Sequence, residues 1–404
     1  MDLTYSVEHE KYREEVIDFL KGWPLSGEDA RLPIEEQESL FRQHGIDAGY
    51  VYRNVPREYG GAGQAPDALK DSIVREEFFR VSAPWDLLNQ GAGMLVPTLL
   101  EFGTEEQKRR FIPKALTGEE RWCQGYSEPG SGSDLASLQC RALRDEEHYV
   151  LNGQKIWTSN AKQAHFMFGL FRTDPAASKH AGISYLIVDM SAEGIDVRPL
   201  REMTGGSEFN EVFFNDARVP VEFRVGAEGE GWAVSRATLI HERNLIGNPN
   251  MMRDTFEDLL DLARRTQRGG QAAIKDPYVR QRLMEIEGYV RTVETSNMLQ
   301  FTATLRGEPM KAMRPMMMNK LYSTDTMQRI QRCAFDLLGG EGMLAPSPED
   351  IVGWARNTTS TGWVEAYLFS LGPAIAGGAS NIQLNIIGER GYGLPRDPRP
   401  PEKS

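Results

Sequence analysis

Three short stretches group residues whose types and spacing could do chemistry. The first is "GYSEPGSGSDLASL", Gly125 to Leu138, a run rich in Gly and Ser with many hydroxyls and backbone N–H groups. Such a loop can wrap the polar edge of a ring or a pyrophosphate, because successive free N–H groups make an anion-binding hollow. It can equally be a long turn between domains. The second is "NGQKIWTSNA", Asn152 to Ala161. Asn-Gly is a hairpin-turn signal, and the strand expected beyond it carries Trp157, Thr158 and Ser159. An aromatic followed by hydroxyls can face a flat aromatic cofactor and donate to its edge. Taken alone, Trp157 reads first as a core tryptophan. The third is "HER", His241 to Arg243. It begins like the zinc motif H-E-x-x-H, but position 245 is Leu and the second ligand is missing.

Other chemistries are excluded more directly. "GGEGMLA" spells G-x-G-x-x-A at Gly340, Gly342 and Ala345, yet it follows a helical segment rather than a strand, so the dinucleotide-binding context fails. No G-x-S-x-G nucleophile elbow occurs. A net charge of −12 argues against nucleic acid as a partner. Three cysteines, Cys123, Cys140 and Cys333, without C-x-x-C spacing, suit a reducing cytoplasm, buried thiols and no structural metal. The N-terminus is acidic where a signal peptide is basic. No apolar run reaches the roughly 18 residues that a membrane span needs.

The elements that must position these stretches follow from periodicity. With 404 residues, 40% of them apolar, the chain can bury a large core in two or three domains. The first part reads as helices. "EHEKYREEVIDFLKGW" spaces Tyr12, Val16, Phe19 and Leu20 at helical intervals, and "DALKDSIVREEFFRV" is a second amphipathic segment. Thr104 followed by Gln107 three positions on is a capping-box signature. "PREYGGAG", Pro56 to Gly63, is a loop. The middle changes period. "HYVLNGQKIWTS", "AHFMFGLFRT", "GISYLIVDM", "IDVRPLRE" and "NEVFFNDARVP" are short, rich in Val, Ile, Phe and Tyr, and punctuated by Gly, Asn, Asp or Pro, which predicts strands. From about Trp232 long amphipathic helices return. The tail "PRDPRPPEKS" is Pro-rich and predicted to be extended. Segregated runs of this kind predict an α+β organisation: a helical domain over 1–121, a β-domain over 122–231 and a helical bundle with a Pro-rich tail over 232–404.

With "GISYLIVDM", "NEVFFNDARVP", "GEGEGWAVSRATLIHER" and "NIQLNIIGERGYGLPR", the first two stretches resemble the acyl-CoA dehydrogenase family of flavoproteins, over essentially the whole chain and in the right order. The resemblance implies an N-terminal helical domain, a β-barrel-like middle domain and a C-terminal four-helix bundle, with FAD between the last two. It sets Tyr126 and Ser127 at the pyrimidine side of the flavin and Trp157 and Ser159 beside its reactive N5 position, with Thr158 a further cofactor contact. Ser133 should reach phosphate, and counts with both the cofactor and the substrate contacts. The implied reaction is α,β-dehydrogenation of an acyl-CoA thioester. A carboxylate removes the α-proton and the β-hydrogen leaves as hydride to flavin N5.

Here the chain departs from part of the family. Many members carry the base in a Tyr-Glu-Gly-Thr run near the C-terminus, and this chain has Ala376, Gly377, Gly378 and Ala379. Other members carry a glutamate before an arginine on the first helix of the C-terminal domain. Glu242 and Arg243 match that pattern, so Glu242 is the expected base, with Arg243, Gly377 and Gly378 beside the substrate. The family's Arg-x-x-Phe-Gly, which reaches the FAD of a neighbouring subunit, keeps Arg265 and has Arg268 where Phe stands. Asp336 replaces a glutamine ahead of the Gly-Gly-x-Gly run, an unhelpful charge near a pyrophosphate. Ser380 and Asn381 are the remaining contacts for the tail of the cofactor. The family also implies an electron-transfer flavoprotein as electron acceptor and a homotetramer or homodimer. Two rivals stand beside this: a partner subunit in a hetero-oligomer with incomplete flavin sites, and an acyl-CoA oxidase.

Overall fold

The computed structural model describes residues 6–85, 90–246, 249–345 and 359–396, with side chains 243–246 and 309 outside the description. The Pro-rich tail beyond 396 lies outside the described residues. The chain divides into two compact units, one of Met1–Leu200 with Glu208–His241, the other of Arg201–Ser207 with Glu242–Ser404.

In the first unit, helices α1 (Val7–Leu20), α2 (Ile34–Asp47), α3 (Ala68–Arg80), α4 (Val96–Phe102) and α5 (Glu105–Thr117) precede the sheet. Their ends follow local chemistry. The Thr104 hydroxyl accepts from the Gln107 N–H while the Gln107 side chain accepts from the Thr104 N–H, so both halves of the capping box form at the start of α5. Gly118 closes the helix at φ 78°. The Gln107 amide also donates to the carbonyls of Glu222 and Arg224, which ties α5 to the end of the sheet.

The sheet comprises β1 (Trp122–Gly125), β2 (Arg141–Asp145), β3 (His148–Lys155), β4 (Phe166–Arg172), β5 (Ile183–Asp189), β6 (Ile195–Pro199), β7 (Asn210–Pro220) and β8 (Arg224–Val225). Its order is β6-β7-β3-β2-β4-β5-β8, with β1 parallel to β4. No pairing joins β6 to β8 among the described residues, so the expected barrel-like middle domain is a mixed sheet that does not close. Strands β4 and β5 are buried on both faces, which is why they read as nearly continuous apolar runs. Alternation sends Phe166, Phe168 and Leu170 into a core shared with Phe111, Leu99 and Trp122, while Met167 and Phe171 enter a second core with Tyr149, Leu151 and Phe214. Each such side chain contributes about 1.5–3 kcal/mol by leaving water.

The hairpin expected at Asn152-Gly153 is not there. Both residues lie inside β3, where the register against β7 shifts between Leu151 and Asn152. Asn152 exchanges hydrogen bonds with Asp216, and Gly153 takes φ 140° where a Cβ would meet the Cα of Cys140 at 2.9 Å. The same tolerance for unusual backbone that suits a turn here serves a bulge. The chain reverses instead at Glu146 and Glu147, with Asp145 paired to His148.

Helix α6 (Gly231–Ile246) begins against β5. A Cβ on Gly231 would meet the backbone of Ser184 at 2.5 Å, so only glycine permits this approach. The second unit holds α7 (Pro249–Arg265), a short β9–β10 hairpin (Gln267–Arg268 and Gln271–Ala272), α8 (Pro277–Leu305), α9 (Pro309–Leu338), α10 (Ser360–Ser370) and α11 (Ser380–Ile386). Leu259, Val290, Ile330, Cys333 and Trp363 form the core of α7 to α10. Asp276 caps α8 by accepting from the Tyr278 and Val279 N–H groups. No helix among the described residues is long and apolar enough to cross a membrane. Cys123, Cys140 and Cys333 are all buried and unpaired.

Candidate functional site

The Gly/Ser loop after β1 is built on Glu128. Its N–H and carbonyl pair with Ser131, and its carboxylate accepts from the N–H groups of Gln139 and Cys140 at 2.6 and 2.9 Å. Lys155, fully buried at the end of β3, donates to the same carboxylate at 2.7 Å and to the Tyr126 carbonyl at 3.3 Å. The Ser131 hydroxyl, also buried, donates to the carbonyls of Asp134 and Leu135. A loop that looks free in sequence is therefore held from inside, and its outer rim is left open. Ser133 is exposed, and nothing lies within 4 Å of a Cβ built on Gly130 or Gly132.

The second stretch lies directly alongside. The Ile156 N–H donates to the Ser127 carbonyl at 2.9 Å, which joins Tyr126 and Ser127 to Trp157, Thr158 and Ser159. These last three follow β3 rather than lying on a strand. Asn210 of β7 holds them by pairing backbone to backbone with Thr158 and by donating its side-chain amide to the Thr158 carbonyl. Trp157 takes φ 61° and is 60% exposed, so it is not the core tryptophan that the residue type alone suggests. Tyr126 is buried. The Thr158 hydroxyl is buried without a hydrogen-bond partner among the described residues. An exposed indole beside an orphaned hydroxyl and the half-buried Ser127 and Ser159 fits a flat heteroaromatic ring with polar edges. FAD is such a group, and the open rim at Ser133 suits its phosphates.

His241 and Glu242 stand next to each other on α6. Burial pushes the His241 imidazole below its ordinary value, with the Glu101 carboxylate opposing. Glu242 is half-buried. The side chain of Arg243 lies outside the described residues.

Within the second unit, the stretch that lacks the family's carboxylate is a tight turn ahead of α11. Gly377 and Gly378 take φ 59° and 94°, and a Cβ on Gly378 would meet Nε2 of Gln383 at 2.5 Å. The Gln383 amide donates to the Gly377 carbonyl. Lys320 of α9, 1% exposed, donates to the carbonyls of Gly378 at 2.8 Å and Ala374 at 3.4 Å. Burial pushes the Lys320 ammonium below its ordinary value, and the charge that acts against this is Glu242. Sequence reasoning missed Lys320 as it missed Glu128 and Lys155.

The remaining expected residues are more dispersed. Arg265 is exposed in the last turn of α7, while Arg268 pairs with Asp276 at 3.1 Å. Asp336 pairs with Arg282 at 2.8 Å, which neutralises the acid that stands in the place of the family's glutamine. The Ser380 hydroxyl donates to the Ala374 carbonyl, and Asn381 is exposed.

Comparison with known proteins matches three consecutive family domains. The acyl-CoA dehydrogenase N-terminal domain covers residues 6–119, the middle domain 123–217 and the C-terminal domain 229–392. The acyl-CoA dehydrogenase IpdE1 of Mycobacterium tuberculosis is 37% identical over 403 residues, covering 96% of this chain and 98% of its own. Two solved structures are similar throughout. The Tcur3481-Tcur3483 steroid ACAD has a TM-score of 0.77 at 28% identity, over 98% of this chain and 100% of its own. The ChsE4-ChsE5 complex of Mycobacterium tuberculosis has a TM-score of 0.76 at 30% identity, over the same shares. The chain belongs to the acyl-CoA dehydrogenase family, enzymes that dehydrogenate acyl-CoA thioesters.

Proposed function

We propose that the chain introduces an α,β double bond into an acyl-CoA thioester, with FAD as oxidant and Glu242 as base. The observation that carries the base assignment is the Gly377–Gly378 turn. It offers no acid, and Glu242 is the half-buried carboxylate on α6 at the position where other members of the family carry theirs. A carboxylate is needed because the α-proton of a thioester leaves only to a positioned acceptor. Bound FAD supplies the acceptor for the β-hydrogen, which leaves as hydride. Trp157 would cover the ring, Tyr126 and Ser127 would flank its pyrimidine edge, and Thr158 and Ser159 would donate near N5. Ser133 would reach phosphate. Arg265, Ser380 and Asn381 would meet the rest of the cofactor, and Arg243, Gly377 and Gly378 the thioester. Electrons would then pass to an electron-transfer flavoprotein. The test is a panel of straight-chain, branched and steroid-side-chain CoA thioesters, assayed by flavin reduction without oxygen. Reduction by none of them would sink the reading.

A second reading is favoured by the two similar structures, each named for a pair of chains. The chain would then work as one of two related subunits, with flavin sites completed across their interface. Bound FAD per chain, measured for the chain alone and after co-purification with a related subunit, separates this from a homotetramer or homodimer. Full occupancy in the chain alone favours the homo-oligomer.

A further inference from the structure

Asn210, the first residue of β7, is fully buried, and its side chain answers two backbone carbonyls at once. Nδ2 donates to the Thr158 carbonyl at 3.0 Å and to the Glu208 carbonyl at 2.9 Å. Two acceptors on one side fix which end of the amide faces them, since only the nitrogen can donate. The main chain adds to this. Thr158 and Asn210 exchange both of their backbone hydrogen bonds, each at 3.1 Å, and the Asn160 N–H donates to the Glu208 carbonyl at 2.8 Å. Phe209 meets the Trp157 indole edge-on, with ring centroids 6.1 Å apart. The stretch 157–160 is thus zipped to 208–210.

The consequence falls on the peptide between Thr158 and Ser159. Its carbonyl accepts from both the N–H and the side chain of Asn210, which holds it in one orientation. A trans peptide is planar, with its N–H opposite its C=O. The Ser159 N–H therefore points away from β7, and it has no partner among the described residues. The N–H groups on either side, of Thr158 and Asn160, are both spent on the β7 side. The arrangement also leaves the Asn210 Oδ1 buried without a partner among the described residues. An apolar side chain of the same size would avoid burying that oxygen, so packing alone does not explain an asparagine here.

We propose that Asn210 is a positioning residue for the cofactor, locking the Thr158–Ser159 peptide so that the Ser159 N–H is a preset donor to the reactive edge of the flavin. The proposal rests on the reading of Trp157, Thr158 and Ser159 as FAD contacts. A donor fixed by the fold before the ligand arrives needs no reorganisation when electron density at that edge changes. A Thr158 carbonyl free to turn would instead set an acceptor against a ring edge that itself accepts. Asn210 removes that alternative.

Amide hydrogen exchange tests this first in the wild-type chain, co-purified with a related subunit if it needs one to hold FAD. The Ser159 amide should exchange about tenfold more slowly with FAD bound than after its removal, while the Thr158 amide, already bonded to Asn210, changes less. Bound FAD with unchanged exchange at Ser159 would overturn the proposal and leave the cofactor reading standing. A wild-type chain that binds no FAD, alone or with a related subunit, would overturn both. Asn210→Leu keeps the size and the backbone pairing and removes the amide. It should bind FAD about tenfold more weakly and shift the visible band of the flavin that remains bound. The KM for the fastest thioester of the panel should hold while kcat falls. The same losses should appear in a Ser159→Ala background, because the hydroxyl is not the donor in question. A lower melting temperature with FAD affinity, visible band and kcat all unchanged would make Asn210 a strut of the fold and overturn the proposal. Should Asn210→Leu fail to fold, the exchange measurement on the wild-type chain decides alone.

Discussion

The Lys155 ammonium lies 2.7 Å from a carboxylate oxygen of Glu128, and both side chains are buried. The pair is the internal frame of the Gly/Ser loop, since the same carboxylate also holds the N–H groups of Gln139 and Cys140. Removing one member strands the other. Lys155→Met should therefore cost about 3–5 kcal/mol. The loss would be read as a lower melting temperature together with weaker flavin retention. An unchanged melting temperature would mean that water reaches Glu128.

Trp157 offers a separation of cofactor contact from core packing. Because the indole is 60% exposed, Trp157→Leu should leave the stability of the FAD-free chain within about 0.5 kcal/mol, as for other surface changes. It should still weaken FAD binding, measured by flavin release on dilution. A large fall in the melting temperature of the FAD-free chain would show that the indole supports the fold instead.

Ser133 is exposed on the open rim of the loop, with no side-chain neighbour to replace it at Gly130 or Gly132. Ser133→Ala should reduce FAD affinity by about 1.5–3 kcal/mol, the worth of a hydrogen bond to a charged group. Equal affinity by equilibrium titration would assign the phosphate to other donors.

Glu242→Gln keeps size and shape and removes the proton acceptor. Flavin reduction in a single turnover should slow by about 10²–10⁴-fold, while thioester binding still perturbs the flavin spectrum. Restoring an acid by Gly377→Glu in that background meets φ 59°, a conformation costing a non-glycine residue about 1–2 kcal/mol. Recovery should be partial at best, and full recovery would show that the turn relaxes freely.

Stability should also respond to acid through Arg253. Burial works to raise the Glu287 carboxyl, but hydrogen bonds from Arg253 and Arg291 hold it below its ordinary 4.5. A carboxyl depressed in the folded state stabilises above its unfolded value and loses that contribution as pH falls through the folded one. Arg253→Ala should therefore lower the melting temperature at neutral pH, and the gap to wild type should close as pH drops below 4.5. A gap that stays constant down to pH values where Glu287 is protonated would assign the loss to packing on Phe256.

Local chemistry was readable where partners are close in sequence. Thr104 and Gln107 announce the start of α5 and form both expected bonds. The strands β4 and β5 announce themselves by composition because both of their faces are covered. Asn152-Gly153 misleads because a bulge and a hairpin ask for the same backbone tolerance. The pairs that frame the site were not readable. Lys155 meets Glu128 across 27 positions, and Lys320 meets Gly378 across 58. No spacing rule reaches that far, since tertiary packing alone decides which buried charge answers another. The exposure of Trp157 was hidden for a related reason. A tryptophan after a strand carries no mark of whether its outer face meets protein or a ligand.

The three cysteines have a practical consequence. Burial pushes each thiol up, that of Cys140 to about 11, and the reactive species is the thiolate. Under mild labelling conditions the native chain is thus silent towards maleimides. A single cysteine introduced on the open rim, as in Ser133→Cys, would carry a fluorophore without any native cysteine being removed. Dye attachment there could then be timed with and without flavin, making solvent access to the rim a direct optical signal.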